Sequence, residues 1–130
     1  MNKEIKQKWI EALTNGKYTQ GDGMLRSSTN QFCCLGVLCD LSEEQWHQYK
    51  DGYEMMGEPN FLPPRVIEWA ELPSDDPDIH IPSTDPLSTT INQKVGEFNR
   101  NQYDIIISLT TLNDNSFTFE QIAELIGKYL

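Results

Sequence analysis

The run Phe32-Cys33-Cys34-Leu35-Gly36-Val37-Leu38-Cys39 constrains this chain more than any other, because it holds no charged group and no strong side-chain hydrogen-bonding group. Such a segment must be buried on nearly every side, so the rest of the chain has to wrap around it. Periodicity alone does not separate a buried helix from a central strand. Leucine content, a capping Asn30 and a continuation through Asp40-Leu41 favour a central helix. Gly36 sits at its midpoint, where glycine in an exposed helix costs roughly 1 kcal/mol relative to alanine. Its presence there predicts that another element packs very close.

The flanking segments predict what does the wrapping. Ile5, Trp9, Ala12 and Leu13 recur at three- and four-residue spacings, which predicts a helix over 3–14 with Asn2 as N-cap and Asn15-Gly16 as its stop. Gly21-Asp22-Gly23 between Lys17-Tyr18-Thr19-Gln20 and Met24-Leu25-Arg26 reads as two short strands or an ordered loop. An Asp51-Gly52 turn between aromatic-rich segments predicts a hairpin over 46–56, with a short helix after Ser42 as the competing reading. Pro64 at a first helical turn predicts a helix over 62–70 that buries Val66, Ile67, Trp69 and Ala70.

Residues 74–90 read as a surface loop holding a short edge strand, Ile79-His80-Ile81. Ile91–Val95 and Tyr103–Ile107 are expected to pair as strands around a turn at Asn99-Arg100-Asn101, with one helical turn at Leu109 and Leu112. The last element is the clearest. Thr118 with Gln121 forms a capping box, Phe117 staples to Ile122, and Phe119, Ile122, Ala123, Leu125, Ile126 and Tyr129 make a broad apolar face. Terminal helices around a buried Cys-rich helix, with short hairpins between, define an α+β domain spanning residues 1–130.

Composition narrows the setting. At 130 residues the chain suffices for one core without disulfides or metals. No stretch approaches the roughly 20 apolar residues that span a bilayer, so no membrane association is expected. Cys33, Cys34 and Cys39 form an odd, clustered set rather than a disulfide framework, so a reducing cytosol is the expected setting. Ten basic against twenty acidic residues oppose direct nucleic-acid binding. Lys3, Lys6, Lys8, Lys17 and Arg26 concentrate the cations near the start, where any anion site should lie.

Two side-chain sets could carry chemistry. Cys33 or Cys34, in a first helical turn, could act as a nucleophile with His47 or His80 as base, Asp40 or Asp78 as orienting group and the Gln31 amide assisting an oxyanion. The plainer reading makes these cysteines small core hydrophobes, with no catalytic residue at all. The spacing Cys-Cys-x4-Cys matches no zinc pattern, and Asp75, Asp76 and Asp78 lack the glycine and glutamate of a calcium loop, so no metal is expected. No cofactor fingerprint is present either. The second set, Lys17, Tyr18, Gln20 and Arg26, offers anion donors and a stacking ring beside exposed glycine N–H groups, as capture of a small anionic, nucleotide-like ligand requires.

WIEALTNGKYTQGDGMLR, FCCLGVLCDL, FLPPRVIEWAEL and LTTLNDNSFTFEQIAELI, in that order, resemble a family of small bacteriophage and prophage proteins. Those proteins share a G-x-Y-x-Q segment, a C-C-L-G-V-L-C-D core, an L-P-x-x-V-x-x-W-A segment and L-N-D before a C-terminal helix. The resemblance covers most of the chain and implies a phage accessory protein, without implying any catalytic residue. Three functions follow as expectations. The first is a non-catalytic binder that sequesters a nucleotide-like host defence signal, with a homodimer as its natural assembly. The others are an acidic inhibitor of a host protein that mimics nucleic acid, and a cysteine-dependent hydrolase.

Overall fold

The computed structural model describes residues 1–96 and 104–130. Helix α1 (Lys3–Thr14) forms where the apolar spacing places it, with Ile5, Trp9, Ala12 and Leu13 buried. The Asn2 side-chain oxygen accepts the Ile5 N–H at 3.0 Å, and Gly16 takes φ +79° just past the end.

The central helix α2 (Cys34–Leu41) is buried from Cys34 through Cys39. It begins at Cys34 with Cys33 as N-cap, whose sulfur accepts the Gly36 N–H at 3.4 Å. Asn30 does not cap it. That residue adopts φ +59° and turns its side-chain oxygen to Arg26 instead, because Gln31–Phe32 are held in extended pairing. The close approach expected at Gly36 is a backbone contact. A Cβ there would stand 1.8 Å from the Leu25 carbonyl oxygen. Trp9 fastens α1 to the same helix, its Nε1–H donating to the Cys34 carbonyl at 2.9 Å.

Strand β1 (Thr19–Gln20) does not pair with Met24–Arg26 across the glycines; it pairs in parallel with β2 (Gln31–Phe32), and Arg26 bridges Phe32 from the other side. Residues 21–30 therefore form an ordered excursion that returns to one short strand. The hairpin β3 (Trp46–Tyr49) and β4 (Gly52–Met55) is antiparallel, with Tyr49 opposite Gly52 and Lys50-Asp51 as the turn. Gly52 serves packing as well as turning. A Cβ there would lie 2.6 Å from the Arg26 carbonyl oxygen, because residues 26–28 run along β4. Tyr53 N–H donates to Arg26 O at 3.0 Å and Ser28 N–H to Asp51 O at 3.1 Å.

Helix α3 (Pro64–Ala70) starts on its proline and stops at Glu71, φ +56°. Leu62, Val66 and Ala70, four residues apart, face inward, while Trp69 lies off that narrow stripe and is 37% exposed rather than buried. Strand β5 (Asp78–Ile81) pairs antiparallel with β6 (Ile105–Ser108), turning Ile79, Ile81, Ile105 and Ile107 inward and His80 and Ile106 outward. Residues expected as the partner strand, Ile91–Val95, belong instead to helix α4 (Leu87–Val95), and the Asn99–Asn101 turn lies outside the described residues. The Asp85 carboxylate accepts the Leu87 N–H at 2.9 Å and so caps α4.

Helix α5 (Leu109–Asp114) follows β6 directly. Helix α6 (Phe119–Tyr129) opens on the Thr118–Gln121 capping box. Helix α6 packs on α1, α5 and β5, and α2 lies between α1 and α5. The layout is α+β: among the described residues six helices contribute to one core and three two-stranded sheets line its edges. No helix among the described residues is long and apolar enough to cross a membrane.

Asp85 ties the end of α6 to the loop before α4. Its side chain is 1% exposed, accepts the Tyr129 hydroxyl and lies 3.3 Å from the Lys128 ammonium. Burial raises its pKa, but bonds from Tyr129, the Leu87 N–H and Lys128 outweigh that and hold it below the ordinary carboxylate value. A carboxyl lowered in the folded state stabilises above its unfolded pKa, and that contribution is lost as pH falls through the folded value. Urea midpoints followed from pH 6 to pH 2 should therefore drop more steeply in the parent protein than in Asp85→Asn. Parallel curves would remove Asp85 from the acid limb.

Candidate functional site

The cysteines are interior. Cys33 is 2% exposed, and Cys34 and Cys39 are fully covered. Burial pushes the Cys33 thiol up to about 11, only partly offset by the Gly36 and Leu35 N–H groups, while nearby Asp114 and Asp76 raise it further. Burial also drives Cys34 and Cys39 well above their ordinary value. The first-turn position expected to activate a thiol thus fails to do so, because desolvation of a thiolate exceeds what the helix N–H groups return. Cys34 Sγ instead donates to the Leu109 carbonyl at 3.6 Å.

No base reaches these sulfurs. His47 is exposed on β3, and His80 is exposed on β5, with its Nε2 3.0 Å from Asp104 rather than near a thiol. Asp40 accepts the Tyr18 hydroxyl at 2.6 Å and the Trp46 indole N–H at 3.0 Å, so it orients neither histidine. Gln31 and Asp78 are exposed on β2 and β5. The constellation Cys33, Cys34, His47, His80 is therefore not assembled. Iodoacetamide at pH 8 should leave all three thiols unmodified in the native protein and label them in urea. Rapid native labelling, read by mass spectrometry, would contradict this burial.

Among the described residues no three His, Cys, Asp or Glu side chains come together as a metal site. Asp76 is occupied in capping α5, accepting the Thr110 N–H at 3.1 Å, and Asp75 and Asp78 are exposed.

The set Lys17, Tyr18, Gln20 and Arg26 is spread over different surfaces. Gln20 is a clamp: its amide donates to Asn113 Oδ1 at 3.1 Å and Phe117 O at 2.8 Å, and its oxygen accepts the Phe119 N–H at 3.0 Å. Tyr18 spends its hydroxyl on Asp40, and its ring meets Phe32 edge-on at 5.0 Å. Burial, then the bond to Asp40, raises the Tyr18 pKa. Lys17 is exposed and shares a shallow hollow of about 260 Å³ with Lys8, Asn15 and Tyr18. Arg26 lies apart, its guanidinium carbon 4.0 Å from the Tyr53 ring centre.

The better-furnished surface is the β3–β4 tip. A cleft of about 330 Å³ is lined by Ser28, Gln48, Tyr49, Lys50, Gly52 and Tyr53. A second of about 250 Å³ shares Tyr49, Lys50, Gly52 and Tyr53 and adds Met24, Asp51, Pro59 and Asn60. Two tyrosine rings, an ammonium group, the Ser28 hydroxyl, two amides and the Asp51 carboxylate thus line the two clefts, without a thiol or an imidazole. The tight two-residue turn places Lys50, at φ +47°, in the lining of both clefts. In sequence, Tyr49-Lys50-Asp51-Gly52-Tyr53 signals a turn and no ligand site. The signal available was two aromatics flanking a cationic turn.

No curated protein matches this chain, and no solved structure matches it. A family model described as a domain of unknown function, DUF8296, matches residues 1–130, so the chain belongs to the DUF8296 family.

Proposed function

We propose that this is a phage or prophage accessory protein that acts in the bacterial cytoplasm as a non-catalytic binder, sequestering a small anionic, nucleotide-like host defence signal at the β3–β4 tip. The observation that carries the reading is that both clefts share Tyr49, Lys50 and Tyr53. Aromatic faces accept a base whatever its hydrogen-bonding pattern, and an ammonium group beside them attracts phosphate. Together the clefts reach the size of ordinary small-ligand sites, roughly 300–1,000 Å³. Arg26, of the set read from sequence, stays with this site through its contact with Tyr53.

A thermal-shift panel of cyclic dinucleotides, ADP-ribose derivatives and nucleoside phosphates tests it. At a hundredfold excess over Kd, a true ligand adds roughly 2.7 kcal/mol to stability, and Lys50→Glu should erase that gain. A flat panel sinks the proposal. Native mass spectrometry of protein from infected cells reads retained ligand and any homodimer together.

The acidic surface supports a second reading, inhibition of a host protein through its nucleic-acid groove. Glu43, Asp51, Glu68, Asp75, Asp78 and Glu120 are exposed in a chain of net charge −10. Capture of such a host protein should weaken steeply between low and physiological salt, and salt-insensitive capture contradicts it.

A further inference from the structure

Arg26 is held as few surface arginines are. Its guanidinium carbon stands 4.0 Å from the Tyr53 ring centre and 5.5 Å from those of both Phe32 and Trp46. Those three rings are themselves locked edge-to-face, Phe32 on Trp46 at 6.3 Å and Trp46 on Tyr53 at 6.4 Å. Asn30 fixes the remaining freedom. Its side-chain oxygen accepts the Nε–H at 2.9 Å and one Nη2–H at 2.7 Å. The left-handed backbone at Asn30, φ +59°, is one that asparagine tolerates, and here it aims the amide at Arg26.

These contacts use the side-on edge of the guanidinium and leave the end-on edge, the Nη1 and outer Nη2 hydrogens. Among the described residues no carboxylate pairs with Arg26, although the chain carries twenty acids. A structural arginine in so acidic a protein normally finds one. This one is positioned by aromatic faces and a neutral amide, so its charge is oriented without being neutralised. A planar fork fixed before binding loses little side-chain entropy when two oxygens of one anion arrive.

We infer that Arg26 is a preorganised anion fork whose end-on Nη edge takes two oxygens of a single phosphate group. This rests on the hairpin-tip reading and deepens it: the captured molecule is phosphorylated, and Arg26 rather than Lys50 reads the phosphate geometry. Tyr53 joins the two functions, with its ring against the guanidinium and its residue lining both clefts. Lys50, whose ammonium lies 5.2 Å from the Tyr49 ring centre, is a point charge without a planar fork and supplies attraction rather than geometry.

The test is a titration of the full chain with inorganic pyrophosphate, which carries phosphate and no base, followed by ¹⁵N resonances of the arginine side chains. The Arg26 Nη signals should shift saturably, and Arg26→Lys, which keeps the charge and loses the fork, should weaken pyrophosphate at least tenfold. Pyrophosphate that leaves those signals unmoved, or binds Arg26→Lys as tightly as the parent, overturns the inference. If the lysine variant fails to fold, the Nη shifts of the parent decide alone. The two readings separate cleanly. Arg26 responding to pyrophosphate while no nucleotide binds keeps the fork and rejects the nucleotide ligand. Nucleotide binding with Arg26 unmoved keeps the binder and rejects the fork.

Discussion

Gly36→Ala should severely destabilise the native fold. The added methyl would sit 1.8 Å from the Leu25 carbonyl oxygen and 2.7 Å from its carbon, both backbone atoms. Leu25 is not free to retreat. Its N–H donates to Pro59 O at 2.9 Å, its carbonyl accepts the Cys33 N–H at 3.3 Å, and its side chain is fully buried. Ordinary overpacking costs about 1–3 kcal/mol, relieved by side-chain movement. Here the relief requires moving a hydrogen-bonded main chain, so the loss should exceed roughly 3 kcal/mol, a large share of the total stability of a domain this size. Loss of the near-ultraviolet dichroism of the buried Trp9 would report it. Gly127→Ala is the contrasting case, because its added carbon meets only Ile10 Cδ1, at 3.5 Å, inside α6. Removing a helical glycine there should raise stability by up to about 1 kcal/mol. Equal effects from both replacements would show that α2 does not rest on Leu25.

Asn113→Ala should cost about 3 kcal/mol or more, although it deletes only a small polar group. Asn113 is 4% exposed and joins three segments: residues 20–21, the start of α2 and its own helix α5. Its oxygen accepts from Gln20 Nε2 at 3.1 Å and from the Cys34 N–H at 3.1 Å, while its amide donates to Gly21 O at 2.8 Å. Removing it strands a helix N–H, a loop carbonyl and one arm of the Gln20 clamp, and each buried orphan costs roughly 1–3 kcal/mol. Asn113→Asp is the sharper test, since it keeps the acceptor, loses the bond to Gly21 and places a charge beside Asp114. Urea denaturation should show a lower midpoint at unchanged slope for both. A midpoint within experimental scatter of the parent would mean that water replaces the amide.

Where a segment's neighbours in sequence are also its neighbours in space, the residues disclosed the structure. Helix α1, the β3–β4 hairpin, α3 and the capping box of α6 are local, and their caps, turns and spacing could be read directly. Residues 87–95 were not, because β-branched Ile91 and Val95 favour a strand, although their four-residue spacing is that of one helix face. The start signal that mattered, Asp85-Pro86, lay in a stretch that its prolines marked as loop. The partnership of β1 with β2 was hidden for another reason. It spans an eleven-residue gap, from Thr19 to Gln31, and no local rule specifies it. At the site, Gln20 and Tyr18 had the chemistry of ligand donors, but burial against Asn113 and Asp40 consumed it. Arg26 is half-buried and held by rings and an amide, an arrangement no spacing rule encodes.

Helix α1 closes its apolar stripe against α6, an element more than a hundred residues later in the chain. During synthesis, therefore, Trp9 and its neighbours leave the ribosome long before the surface that covers them exists. The native core forms only when residues 119–129 have been made, and any stalled or clipped chain lacking them presents a greasy helix for chaperones or proteases to seize.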